Sequence, residues 1–199
     1  MSKGEQQRAH LIDVARDLFV QRGYEGTTTR MLNKAAGTSD GLLYYYFPHG
    51  KQEILDTIVQ EGVQQRVDDT QIDFTAVKNR PELEVALTRF ITGIWQLFVR
   101  EDNYQSFMIT IRERMVLSEN ESAWLRQFAD DIRERLLHAM RKLDTALGYS
   151  IDQINVMTEA VVAVMESTLY EQLLIKNSRT FDEHQTVKLR QMLQLILQS

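Results

Sequence analysis

Apolar residues along this chain recur at steps of three and four, the spacing of helices, and nowhere sustain the alternation of strands. Between 119 and 147, Trp124, Phe128, Ile132, Leu136, Met140, Leu143 and Leu147 form one apolar stripe against a charged opposite face, which predicts a long amphipathic helix. Residues 154–175 are apolar almost all round, so the helix they predict needs cover on two sides. Capping boxes mark helix starts, because a Ser or Thr and a Glu or Gln three residues later satisfy backbone donors left unpaired in the first turn. Ser2 with Glu5, Ser118 with Glu121, Ser150 with Gln153 and Thr180 with Glu183 have this form, and Pro81 marks a further start. The resulting map is helix at about 5–22, 28–35, 39–46, 51–69, 81–100, 103–116, 119–147, 151–176 and 182–197, with ends uncertain by a few residues. The expected fold is all-α.

Composition narrows the class. Only two Pro and nine Gly interrupt the chain, which favours long helices. Cysteine is absent, which excludes disulfides, thiolate metal sites and cysteine nucleophiles. No apolar run is long enough to span a bilayer, and charges interrupt the N-terminal apolar positions, so neither a membrane span nor a signal peptide is expected and the chain reads as cytoplasmic. The formal net charge of −5 is unevenly spread: residues 1–51 hold seven Lys/Arg and five Asp/Glu, and the remainder holds sixteen and twenty-three. That asymmetry points the N-terminal segment toward phosphate.

The chemistry-bearing stretch is Thr28 to Lys51, TTRMLNKAAGTSDGLLYYYFPHGK. Thr27 or Thr28 can cap a short helix whose inner face is Leu32, Ala35 and Ala36, and Gly37 allows the positive φ of a tight turn. Ser39 can cap a second short helix on which Leu43 and Phe47 face inward while Asp40 and Tyr44 share a more outward face. Gly41 with Tyr45 and Leu42 with Tyr46 flank that face. A helix so arranged can enter a DNA major groove by its N-terminal residues.

With Arg8, Leu11, Ile12, Ala15, Leu18, Phe19, Gly23 and Tyr24 before it, this stretch resembles the DNA-binding domain of the TetR family of bacterial one-component regulators. The resemblance covers the first 60 or so positions, and beyond about residue 70 it is architectural only. It implies that Thr28, Thr29 and Arg30 meet backbone phosphates or a base edge, that Tyr44, Tyr46 and Lys51 grip phosphates, and that Asp40, Gly41 and Leu42 approach the bases. Ser39 and Tyr45 complete the expected DNA-binding set. Two departures stand out: Leu42 replaces a common threonine, and one extra residue within Pro48, His49 and Gly50 separates Phe47 from Lys51. Asp40 has a second reading, since an acid in a first helical turn is favoured by the macrodipole whatever it touches.

The family's organisation implies a helix-turn-helix domain at 1–50 with a connecting helix at 51–69, and an effector-binding and dimerisation domain at 70–199. Helix-turn-helix proteins bind as dimers to paired half-sites, so a homodimer on a pseudo-palindromic double-stranded operator is expected. Val161, Met165 and Leu169 in the 151–176 helix, with Leu189, Met192, Leu193 and Ile196 in the last one, are the candidate interface, the alternative being burial within one subunit. Trp95, Phe98, Tyr104, Phe107, Met108 and Ile111, with Met115, Trp124, Phe128, Met157, Met165 and Tyr170, could line a pocket for a hydrophobic effector or simply form a solid core. Glu159 and Glu166 could attract a cation or be solvated or ion-paired.

No catalytic or metal constellation is present: His10, His49, His138 and His184 are scattered, Asp130 and Asp131 diverge on a helix, and no phosphate loop or nucleophile motif occurs. The chain is therefore expected to be no enzyme and to need no cofactor. The leading expectation is a ligand-responsive repressor, whose effector would shift the 51–69 helix. The alternatives are a helical ligand-binding or protein-interaction module without operator binding and, more remotely, an all-helical enzyme using Glu159 or Glu166.

Overall fold

A computed structural model describes residues 2–70, 72–113, 119–143 and 147–198, and the side chains of these except 63–69 and 119–127. The helices, in chain order, are α1 Lys3–Arg22, α2 Thr29–Ala36, α3 Asp40–Tyr46, α4 Lys51–Asp69, α5 Arg80–Val99, α6 Glu101–Glu113, α7 Glu119–Arg141, α8 Ile151–Leu169 and α9 Glu183–Gln198. Among the described residues there is no strand, as the three-and-four periodicity predicts.

Local chemistry explains the ends. Ser2 with Glu5 and Ser150 with Gln153 form reciprocal capping boxes. Ser118 lies outside the described residues. The expected Thr180–Glu183 box is replaced by Asp182 and Gln185, whose side chains each accept from the other's backbone N–H at 2.9 and 2.6 Å, so α9 starts a little later. Asn79 and Glu82 stitch the start of α5 around Pro81, with Asn79 Oδ1 accepting from the Glu82 amide at 2.9 Å. Of the predicted 119–147 helix, α7 runs to Arg141 and Leu143 is buried in the turn that follows, while residues 144–146 lie outside the described ones. The predicted 151–176 helix has a change of winding inside it: α8 passes into a π-helical turn at Tyr170–Ile175.

The chain divides into two compact units, residues 1–66 with 100–127 and residues 67–99 with 128–199. In the first, Leu11, Ala15 and Phe19 of α1 pack on Leu32 of α2, Leu43 of α3, Phe47, and Ile54, Leu55 and Ile58 of α4, all fully buried. Ile109 of α6 joins that core, and the Tyr24 amide donates to Glu113 Oε1 at 3.1 Å. The helix-turn-helix segment therefore shares its unit with a distant stretch of sequence, which the boundary expected near residue 70 does not anticipate. In the second unit α5, α8 and α9 pack together, Trp95 meets Phe181 with ring centroids 5.5 Å apart, and Gln194 donates to Glu84 at 2.8 Å. Ile132, Leu136 and Met140 of α7 are buried as their stripe predicts.

Candidate nucleic-acid interface

Helices α2 and α3 are held at their angle by a turn whose polar groups are satisfied locally. Gly37, in left-handed backbone at φ 63°, and Thr38 both donate their amides to the Asn33 carbonyl. A residue with a Cβ would be strained in that backbone. The buried Asn33 side chain completes the turn: its Nδ2 donates to Asp40 Oδ1 and its Oδ1 accepts from the Thr38 hydroxyl at 3.0 Å. The inner face of α2 is thus Leu32, Asn33 and Ala36, with Ala35, expected among them, exposed. Thr28 and Ser39 cap α2 and α3 through the amides of Met31 and Leu42, each at 3.3 Å. Thr27, the other candidate cap, is instead fully buried and donates to the Gly23 carbonyl at 2.8 Å.

Asp40 acts first as a part of this turn. One of its oxygens takes the Asn33 amide, so the candidate base reader has a structural partner that periodicity could not reveal. Replacing Asn33 by Ala is expected to destabilise the fold by roughly 1–3 kcal/mol, since it leaves the Thr38 hydroxyl and the Asp40 carboxylate without their shared partner. Urea unfolding measures this, and a loss below about 0.5 kcal/mol would deny the turn its dependence on Asn33.

The tyrosines have three different settings. Tyr45 is 75% exposed and Tyr44 48% exposed, whereas Tyr46 is half-buried against the core. The Tyr44 ring lies so close to Gly50 that a Cβ there would sit 3.1 Å from it, and Gly50 itself needs φ 63° to close the Phe47–Gly50 turn. The extra residue after Phe47 is absorbed in that turn. Thr28, Arg30, Ser39, Asp40 and Gly41 are exposed, as are the two outer tyrosines; Thr29 and Leu42 are half-buried. Lys34, exposed on α2, adds a cation that the family pattern does not single out.

Lys51 also has a partner within the domain. Its Nζ donates to the Tyr24 carbonyl at 2.8 Å and lies 3.8 Å from the centre of the Tyr24 ring, while the Tyr24 hydroxyl donates to Gln52 at 2.6 Å. The ammonium links the end of α1 to the start of α4. An alanine at Lys51 would therefore perturb the domain as well as any phosphate contact.

The residues expected in one effector pocket are divided between the units. Phe107, Met108 and Ile111 are on α6 in the first; Trp95, Phe98, Phe128, Met157 and Met165 are in the second, with the Phe98 and Phe128 rings edge to face at 5.6 Å. Tyr170 is half exposed. Met115 and the Trp124 side chain lie outside what is described. Glu159 is paired with Arg133 at 3.0 Å, the salt-bridged alternative for that residue.

The expected dimer residues are largely engaged within the single chain. Val161, Met165, Leu169, Leu189 and Leu193 are buried within the chain, and Met192 and Ile196 are half-buried, because α8 and α9 pack on each other and on α5 through them. The outer faces carry other residues. Val156, Ala163 and Tyr170 stand exposed at steps of seven along α8 and its π-helical continuation, and Val187 and Leu195 are exposed on α9. That step of seven is present in the sequence, hidden by the surplus of apolar residues around it.

Residues 11–58 match the model of the family described as bacterial regulatory proteins, tetR family. The chain is 40% identical over 53 residues to the HTH-type transcriptional repressor KstR2 of Rhodococcus jostii, a match that covers 27% of this chain and 26% of that protein. The chain spans less than half the length of the curated relatives it matches. Similarity of fold extends further: Salmonella enterica GusR superposes with a TM-score of 0.72 at 18% identity, covering 100% of this chain and 99% of that one. SmeT, in a complex with triclosan, does so with a TM-score of 0.65 at 18% identity over 97% and 90% of the two chains.

Proposed function

We propose that this chain, whose N-terminal domain belongs to the TetR family of bacterial transcriptional regulators, is a DNA-binding repressor that acts as a homodimer and is released by a small molecule. The observation that carries the DNA-binding part is the pairing of buried and exposed positions on α3. Leu43 and Phe47 seat the helix in the core, which leaves Gly41, Tyr44 and Tyr45 exposed, as are Thr28, Arg30 and Ser39. Arg30 and the tyrosine hydroxyls can donate to phosphate, and Gly41 allows close approach to a base edge. Repression and release by a ligand are supported by the repressor among the relatives and by the triclosan complex of a protein of this fold. The homodimer is supported by the apolar outer faces of α8 and α9, which this chain leaves uncovered.

The test begins with selection of an operator from random duplex DNA, followed by binding measured against salt. Arg30→Ala is expected to weaken binding and to lower the slope of log affinity against log salt by about 0.9, one phosphate contact. Tyr44→Phe is expected to cost roughly fivefold, one neutral hydrogen bond of about 1 kcal/mol. No enriched sequence, or an unchanged slope for Arg30→Ala in a folded dimer, would overturn the reading.

A further inference from the structure

A cavity in the second unit takes no part in the DNA-binding reading. It lies between Thr70 with residues 72–77 and the C-terminal part of α7, and has a volume of about 640 Å³. Small-molecule sites commonly fall between roughly 300 and 1,000 Å³. Among the described residues, none of the aromatic and methionine residues expected from sequence lines it.

Its wall combines two chemistries. Phe74, Val77, Ala139 and Leu143, all buried, provide an apolar surface. Arg135, His138 and Lys142 also line it, at steps of three and four along one side of α7 and the turn after it. The helix macrodipole explains a cation in a last turn, but its influence fades within that turn and Arg135 lies further in. Arg135 is held at the wall, its Nη1 donating to the Thr70 carbonyl at 3.4 Å.

Among the described residues that line it, Asp73 is the only acid. The Thr75 hydroxyl and amide donate to its Oδ1 at 2.7 and 2.9 Å. Those two bonds, with a smaller contribution from Lys142, hold its carboxyl below the usual carboxylate range. Asp73 is thus committed to its own turn, and among the described lining residues it is set against Arg135, His138 and Lys142.

We propose that this cavity binds a small organic carboxylate with an apolar body, its charged end at Arg135, His138 and Lys142 and its hydrocarbon part against Phe74, Val77 and Leu143. The two requirements are separable. A cation of the same length meets the wrong charge, and a short carboxylate leaves the apolar wall uncovered.

The experiment is calorimetric titration of the full chain with sodium octanoate, with octyltrimethylammonium and sodium acetate as controls. Octanoate should bind one site per chain, acetate and the ammonium at least about tenfold more weakly. Lys142→Glu, an exposed position, should weaken octanoate at least tenfold, while Lys142→Arg and the distant Lys188→Glu should retain it. Far-UV dichroism checks that each variant is folded. Equal octanoate affinity in Lys142→Glu, equal affinity for octyltrimethylammonium, or no saturable octanoate binding below about 1 mM would overturn the proposal. DNA takes no part in these titrations, so failure of the regulator reading would leave the octanoate result standing.

Discussion

Phe47→Ala is expected to destabilise the N-terminal unit by roughly 3–5 kcal/mol, the usual cost of removing a fully buried aromatic ring and leaving a cavity. The ring is wholly inaccessible, the Arg8 guanidinium lies 5.1 Å from its centre, and its amide closes α3 by donating to the Leu43 carbonyl. Nothing nearby can easily fill the space, because Leu11, Leu32 and Leu43 around it are also fully buried and close-packed. A domain stability of about 5–15 kcal/mol would be largely consumed, so operator binding should be lost with it. Urea unfolding combined with amide exchange of α1–α4 measures the effect region by region. A loss under about 1 kcal/mol would mean that α3 is not seated by this side chain.

Ala163→Glu is expected to act in the opposite way, sparing the subunit and breaking the pair. Ala163 is exposed, and Glu is a good helix former, so α8 itself should tolerate the change. If the outer face of Val156, Ala163 and Tyr170 meets its copy in a homodimer, two like charges are buried where close approach needs small residues, at a cost of several kcal/mol. Sedimentation at micromolar concentration should show a monomer with an unchanged far-UV spectrum. Operator affinity should fall by roughly 100- to 10,000-fold, because the two half-sites no longer reinforce each other. A variant that sediments as a dimer places the interface elsewhere. One that is monomeric yet binds the full operator as before removes the need for pairing.

The two substitutions also mark the limit of what is legible in sequence. Leu43 and Phe47, four apart, announce a buried face, and they are buried, because local periodicity within one short helix decides which way each points. The same rule does not separate Val161 from Ala163. On a helix with apolar residues on every side, periodicity says that all faces are covered but not which neighbour covers each one. Packing of α8 on α5 and α9 takes Ile154, Met157, Val161, Met165 and Leu169 inward and leaves Val156, Ala163 and Tyr170 outside.

Long-range polar contacts are hidden for a different reason. The Lys51 ammonium reaches a carbonyl 27 positions earlier in the chain, and Glu113 reaches the Tyr24 amide across 89 positions; neither spacing has a periodic signature. Asp40 sits in a first helical turn as an acid should, but its partner lies in the preceding helix, on a buried asparagine that no charge pattern marks. The cluster of Arg135, His138 and Lys142 is visible as a spacing, yet it becomes a wall only because Thr70 and residues 72–77 stand opposite it.

The Asn33 turn bears on what any signal can do to bound DNA. Its amide and carbonyl join α2, the turn and α3 by several short links, so the two helices behave as a single stiff reading head. A stiff head can be carried toward or away from a groove, but it cannot be bent into a new shape. On the proposed function, regulation of such a head would change how often a site is occupied and leave its alphabet alone.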